Sequence, residues 1–372
     1  MGNILQYLDE RGDVPFNRAR FNKVDNLILS QIAYLDFAGI VPDMEEVGYV
    51  TVEEAWALFS QKYDEEKLAE LKHMNRDTPL VLKAMARGER FRKAKLSNYV
   101  NHVDELEGKQ FAALHIELDD GTIYIAFRGT DDYIVSWQED FRMSYQTVPA
   151  QREAASYLCE MMKGSDKYFR VGGHSKGGNL AMYAAMKCPR DMKGQILNIF
   201  DNDGPGFDNE VLASEDYQSI KSKIARITPE FSVVGMLFEH NANHKIVSSS
   251  EKGVAQHDGM TWEVQGSEFI YKEKLSKRSR LLSKTLSRWI DSLKVEERKE
   301  FVKSFFGTLR KGGVEKMSEV PAGKRKRFFK LCDMALHTSK PTKTALMTLL
   351  FSFVTIYGKE GLHIVTTFVS RK

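Results

Sequence analysis

Gly173-His174-Ser175-Lys176-Gly177 holds a serine at the spacing G-x-S-x-G, in which the hydroxyl can act as a nucleophile. A serine hydroxyl is unreactive at neutral pH, so that chemistry needs three helpers. They are a base, a carboxylate that orients the base, and N–H donors for the oxyanion. The flanks give the pentapeptide its context. Tyr168, Phe169 and Val171 form a short apolar strand pattern before it, and Asn179–Ala185 reads as an amphipathic helix after it. Strand, sharp turn and helix make a nucleophile elbow. Glycine at 173, 177 and 178 fits a strained turn where strand and helix pass closely, and the helix aims its first N–H groups at the serine.

In an elbow the partners follow the serine in the order acid, then histidine. Five histidines lie downstream: His240, His244, His257, His337 and His363. His257 is the leading base, because Val254-Ala255-Gln256-His257-Asp258-Gly259 is a polar loop after the last core strand; His244 is next. His174 is expected to pack beside the strand without reaching the serine. For the acid, Asp203 is favoured over Asp201, both at the end of the apolar strand Gln195–Phe200, with Glu230 after the next strand as the other alternative. A simple turn with an Asx hydrogen bond would also explain Asp203-Gly204-Pro205-Gly206. The oxyanion donors are expected to be the backbone N–H of Lys176 and, from Arg128-Gly129-Thr130-Asp131, the N–H and hydroxyl of Thr130. No metal or cofactor is called for.

The elements that must position these groups are legible in outline. Asp25–Ile32, Thr51 to about Tyr63 (opened by a T-x-x-E capping box), Glu65–His73 and Pro79–Arg87 read as a helical layer. From Tyr99 the period changes. Asn98–Glu105, Phe111–Leu118 and Thr122–Phe127 read as strands, the last two joined by a turn at Asp119-Asp120-Gly121. Pro149–Lys163 is helical, and Gln195–Phe200, Lys223–Ile227 and Lys245–Ser248 are strands. Alternating strands and helices predict an α/β fold, a mostly parallel sheet flanked by helices. After about Gly266 the strands are expected to stop. Leu275–Leu293, Val295–Leu309, Lys324–Leu336 and Thr342–Tyr357 then form a helical extension. The expected organisation is a helical layer over 1–97, an α/β core over 98–270 and a basic helical region over 271–372.

Composition narrows the setting. The chain has 372 residues, 42% of them hydrophobic, enough for one large core or two smaller ones. Cys159, Cys188 and Cys332 show no metal or disulfide spacing, and Met1–Gly12 lacks the pattern of a secretory signal, so a cytoplasmic protein is expected. Charge is uneven. From Tyr271 to Lys372 there are 24 Lys and Arg against 9 Asp and Glu, whereas the whole chain is only +3. Such a basic tail suggests peripheral contact with an anionic membrane, although a solvated helical face would look the same. The run Lys324-Arg325-Lys326-Arg327 carries no nucleic-acid reading motif, so no nucleic acid is expected. Thr344–Tyr357 is uncharged but too short to span a bilayer, and a buried helix is the preferred reading.

At the motif residues the chain resembles known hydrolases. Ala126-Phe127-Arg128-Gly129-Thr130, followed by Trp137 and Asp140, resembles the oxyanion loop of class 3 lipases, and Gly173 to Gly178 resembles their elbow. The set DNLILSQIAYLDFAGIVP, FRGTDD, GGHSKGGNLA, DGPGF, SVVGM and QHDGMTW is similar to a bacterial Mbeg-type lipase-like family over roughly residues 20–270. The resemblance implies an α/β-hydrolase fold with Ser175 as nucleophile and His257 as base. It also exposes two departures. Ser232 stands where the class 3 acid would be, which sends the acid elsewhere; Asp203 resembles the placement in pancreatic-type lipases. Lys176 replaces the usual leucine, and its ammonium is expected near the substrate, where it would favour an anionic acyl or head group.

The reading is a cytoplasmic serine hydrolase that cleaves carboxylic, lipid or acyl esters through an acyl-serine. Thioesterase and acyltransferase variants share that chemistry. The contrasting reading is a non-catalytic hydrolase-fold protein docking on an anionic membrane or a protein partner.

Overall fold

The computed structural model describes residues 2–63, 77–104, 108–131, 133–238 and 242–311. The expected helices at Glu65–His73, Lys324–Leu336 and Thr342–Tyr357 lie outside these residues, as do His240, His337, His363 and Cys332.

The chain opens with helices α1 (Ile4–Arg11), α2 (Lys23–Ile32), α3 (Val52–Lys62) and α4 (Thr78–Arg87), with a two-residue strand β1 (Val50–Thr51) before α3. Their starts follow local chemistry. Asn22 and Asp25 form a capping box on α2, and Thr51 and Glu54 form the expected one on α3. Three antiparallel-linked strands follow, β2 (Lys95–Asp104), β3 (Lys109–Glu117) and β4 (Ile123–Phe127), with Gly121 at φ +80° in the β3–β4 turn. Next come α5 (Ile134–Arg142), α6 (Pro149–Met162), β5 (Phe169–His174), α7 (Lys176–Lys187), α8 (Arg190–Lys193), β6 (Ile196–Asn202), α9 (Asn209–Ala213), α10 (Glu215–Ile220), β7 (Ile224–Pro229) and β8 (Asn243–Val247). The short strands β9 (Val264–Gln265), β10 (Glu268–Phe269) and β11 (Tyr271–Lys272) precede α11 (Lys277–Ser292) and α12 (Val295–Lys311).

The nine-stranded sheet has the order β1-β2-β3-β4-β5-β6-β7-β8-β11. Its heart, β4 to β8, is parallel, and antiparallel strands extend both edges. This is the α/β-hydrolase-type architecture. Strands continue past Gly266, contrary to the sequence expectation: β11 is only two residues long, too short to show a period, and it closes the edge beside β8. The sheet thus takes strands from Val50 to Lys272.

Two apolar layers cover its faces. One gathers α1 to α4 against Leu114, Tyr124 and Phe200; the other gathers α6, α7 and α10 against Phe111, Ile125, Val171 and Ile199. Each fully buried aliphatic or aromatic side chain contributes about 1.5–3 kcal/mol. Cys159 and Cys188, which sequence spacing leaves unrelated, bring their sulfur atoms within 3.6 Å where α6 packs on α7. Among the described residues no helix is long and apolar enough to cross a membrane.

Candidate active site

Register in the parallel heart sets the site. Phe127 pairs with Gly173, His174 with Asn202, and Asn202 with Ile227, so β4, β5 and β6 end at one edge. The segments just beyond those ends carry Thr130, Ser175 and Asp203. Ser175 sits at φ +57° and Asp203 at φ +58°, both in a region that L-residues rarely occupy. Close approach explains the glycines. A Cβ on Gly177 would lie 2.1 Å from the Phe127 carbonyl oxygen, so only glycine lets α7 leave the elbow here.

Ser175 Oγ lies 3.0 Å from His257 Nε2, and His257 Nδ1 lies 2.6 Å from Asp203 Oδ2. The carboxylate accepts a hydrogen bond from Nδ1–H, which leaves Nε2 to accept from the serine hydroxyl. All three side chains are buried. His257 ends a 3-10 turn, Gly253–His257, that is pinned from several sides. Phe231 N–H donates to Gln256 Oε1 at 2.7 Å, and Trp262 Nε1 donates to the Gln256 carbonyl at 2.9 Å. His174 Nε2 donates to the His257 carbonyl at 2.7 Å, while its Nδ1 accepts from the Tyr34 hydroxyl at 2.9 Å. Burial, helped by the neighbouring His257, lowers the His174 pKa to about 3. His174 is therefore a neutral strut for the loop that carries His257, and the serine is outside its bonding.

Asp203 is fixed as firmly. Its N–H donates to the Ile227 carbonyl at 2.8 Å, and the Ser232 hydroxyl donates to Oδ1 at 2.5 Å. A Cβ on Gly235 would fall 2.1 Å from that same oxygen. The other two acids face elsewhere. Asp201 accepts from Gly204 N–H at 2.7 Å and pairs with Arg226 at 3.4 Å, buttressing the turn below Asp203; burial pushes its pKa up to about 7. Glu230 bonds through its backbone, to Val247 and Ser276. His244, the second candidate base, lies on β8 with Nε2 2.5 Å from the Thr228 hydroxyl, and burial lowers its pKa to about 4.

The oxyanion side requires two corrections. Thr130's hydroxyl donates to Asp140, so only its N–H remains as a donor. Lys176 opens α7, where the first N–H groups lack intrahelical partners, but its ammonium does not face a substrate. Nζ is fully buried and bonds Glu139 Oε2 and both oxygens of Gln110 at 3.0 Å, with Asp140 at 3.8 Å. Burial opposes the charge, yet Glu139 and Asp140 outweigh it and raise the Lys176 pKa. Glu139 also accepts from the N–H groups of Gln110 and Ala150, so the ion pair is well satisfied. No local spacing reveals this partner: the acid that captures the ammonium comes from α5, 37 residues away.

Ser175 and His257 lie at the floor of a cavity of about 1130 Å³, its open mouth included. Trp137 and Phe141 of α5, Val233, Val234 and Leu237 of the β7–β8 connection, and Ile290, Leu293, Phe301 and Val302 of α11 and α12 make its walls apolar. α12 is seated on α5 by a cluster of Phe141, Phe301, Phe305 and Phe306, in which Phe306 is fully buried. The described part of the basic region over 271–372 thus contributes a wall of the cavity. Among the described residues no group of three or more His, Cys, Asp or Glu is arranged to hold a metal.

A family model described as Mbeg1-like matches residues 85–307. No curated protein matches the chain. Among solved structures it is similar to the Rhizomucor miehei lipase propeptide complex, at 19% identity and a TM-score of 0.31, over 42% of this chain and 57% of that one. It is also similar to M37 lipase, at 19% identity and a TM-score of 0.31, over 47% of this chain and 70% of that one. The chain thus spans a little over half the length of the Rhizomucor protein.

Proposed function

The chain belongs to the Mbeg1-like family, and from that premise we propose that it is a lipase-like serine hydrolase of carboxylic esters with an apolar acyl chain. The hydrogen-bonded sequence Ser175–His257–Asp203 at the floor of an apolar cavity carries the reading.

In the first half-reaction Ser175 Oγ attacks the ester carbonyl carbon while His257 Nε2 takes its proton. Asp203 holds the ring in the required tautomer and stabilises the imidazolium. The N–H groups of Lys176 and Thr130 receive the charge that develops on the carbonyl oxygen. As the tetrahedral intermediate collapses, the ester C–O bond breaks and His257 returns the proton to the departing alkoxide, releasing alcohol. Water, deprotonated by the same imidazole, then attacks the acyl-serine and releases the carboxylic acid. Lys176 acts in this scheme through its backbone; its side chain ties the elbow to α5.

A panel of p-nitrophenyl esters of increasing acyl length tests the proposal. Turnover that rises from acetate to a medium-chain ester, and is lost in Ser175→Ala, is expected. If no ester is turned over, the non-catalytic reading takes its place.

Peripheral contact with anionic lipid is the partner supported best. α11 exposes Lys277, Arg278, Arg280 and Lys284 beside Leu281, which is 70% exposed. Co-sedimentation of the full chain with phosphatidylglycerol vesicles should occur at low salt and weaken as salt rises; absence of binding at low salt would remove this partner.

A further inference from the structure

The cavity wall contains one charge whose role the ester reading leaves open. Three charged side chains line it in addition to His257: Asp140, Lys176 and Arg298. Two are satisfied by one another, since Lys176 is buried against Glu139 and Asp140, and Asp140 also accepts from Thr130. Burial lifts the Asp140 pKa to about 7, which blunts its repulsion of an anion nearby. Arg298 is different. Its Nε donates to the Leu293 carbonyl at 3.1 Å and Nη1 to the Ser144 carbonyl at 2.7 Å, and among the described residues no carboxylate pairs with it. A guanidinium has five N–H donors, so these two bonds leave three without a partner among the described residues, on a residue that lines the cavity. Ile290, Leu293, Phe301 and Val302 surround it with apolar surface.

An apolar trough with one unneutralised, half-buried guanidinium suits an amphiphile of matching form: one acyl chain and one anionic group close to the ester. We propose that Arg298 is a specificity-determining residue that selects single-chain acyl esters carrying a phosphate near the scissile bond. This rests on the hydrolase reading above and names its substrate class. The fork matches phosphate oxygens in a way a lysine ammonium does not. The charge expected from Lys176 is supplied here from α12, which reaches the cavity only because α12 folds back onto α5.

The test compares 1-decanoyl-glycerol 3-phosphate with 1-decanoyl-glycerol, which differ only in the phosphate. The intact protein should favour the phosphate ester in kcat/KM, and Arg298→Gln should lower that preference about tenfold to hundredfold while leaving the neutral ester within about threefold. Glutamine sets an amide nitrogen at the place of Nε, keeping a donor for the Leu293 carbonyl, while the charge and the reach to the Ser144 carbonyl are removed. Equal loss on both esters would reduce Arg298 to a clamp between α12 and residue 144 and overturn the proposal, as would a wild-type preference for the neutral ester. Binding keeps the proposal separate from catalysis. In Ser175→Ala, decyl phosphate should bind more tightly than decanol, and Arg298→Gln added to Ser175→Ala should erase the difference. If neither ester is cleaved yet that difference persists, the hydrolase reading fails and the anion site stands. If esters are cleaved but decyl phosphate gains nothing over decanol, the anion site fails alone.

Discussion

Ser232 donates its hydroxyl to Asp203 Oδ1 across 2.5 Å, so the carboxylate that meets His257 through Oδ2 is held from its other oxygen. Asp203 stands between that hydroxyl and the His257 imidazole, one carboxylate oxygen to each. Asp203→Asn should therefore lower kcat by about 10³- to 10⁴-fold, because the amide disfavours the tautomer that leaves Nε2 free. Ser232→Ala should cost about tenfold, the worth of one hydrogen bond to a charged group. Glu230→Gln should change kcat by less than about twofold. Steady-state kinetics on a p-nitrophenyl ester check all three; an unaffected Asp203→Asn would move the acid elsewhere.

The Lys176–Glu139 pair predicts a large stability effect from the position beside Ser175. Lys176→Met leaves the buried Glu139 carboxylate without its cation and should destabilise by about 3–5 kcal/mol. Combining it with Glu139→Gln should restore much of that loss, which urea unfolding of the single and double variants will show. Neither change should shift the preference between anionic and neutral esters, since the ammonium is buried and bonded to Glu139 and Gln110.

His174 gives the protein an acid-side liability with a defined sign. The unfolded imidazole binds a proton below about pH 6.5, whereas burial keeps the folded one neutral until about pH 3. The unfolded state thus holds more protons in that window, so this group's contribution is complete above pH 6.5 and shrinks as pH falls. His174→Asn lacks the titration. Between pH 7.5 and pH 5 the wild type should lose about 2 kcal/mol relative to the variant, by urea unfolding at the two pH values.

Val302 tests the assignment of the cavity to an acyl chain. It is buried on α12 and lines the cavity. Val302→Trp should cut kcat/KM for a decanoate ester by about tenfold or more while leaving acetate nearly unchanged, because each excluded methylene forfeits roughly 1–3 kcal/mol. Equal effects on both chain lengths would remove α12 from the substrate site.

The elbow was legible because Gly173, Ser175 and Gly177 sit in one local strand–turn–helix, and the order of Asp203 and His257 follows from the chain path that such an elbow imposes. β5 and β6 were legible for a similar reason, as apolar runs between helices. The contacts that local spacing does not reveal are long-range. Lys176 meets Glu139 of α5, Ser232 meets Asp203, His174 bonds the His257 carbonyl, and α12 reaches the cavity through aromatic contacts with Phe141. A side chain's type tells what bonds it can make, whereas its partner is chosen by packing that no local spacing encodes. β11 was missed because two residues cannot display a period.

The central claim is that Ser175 is an activated nucleophile served by His257, and active-site labelling tests it most directly. A fluorophosphonate should add a single phosphonyl group, mapped by mass spectrometry to the peptide containing Ser175. Ser175→Ala should abolish the label and His257→Ala should slow it about a thousandfold or more. Wild-type protein that takes up no label, or takes it up equally fast without His257, would contradict the account.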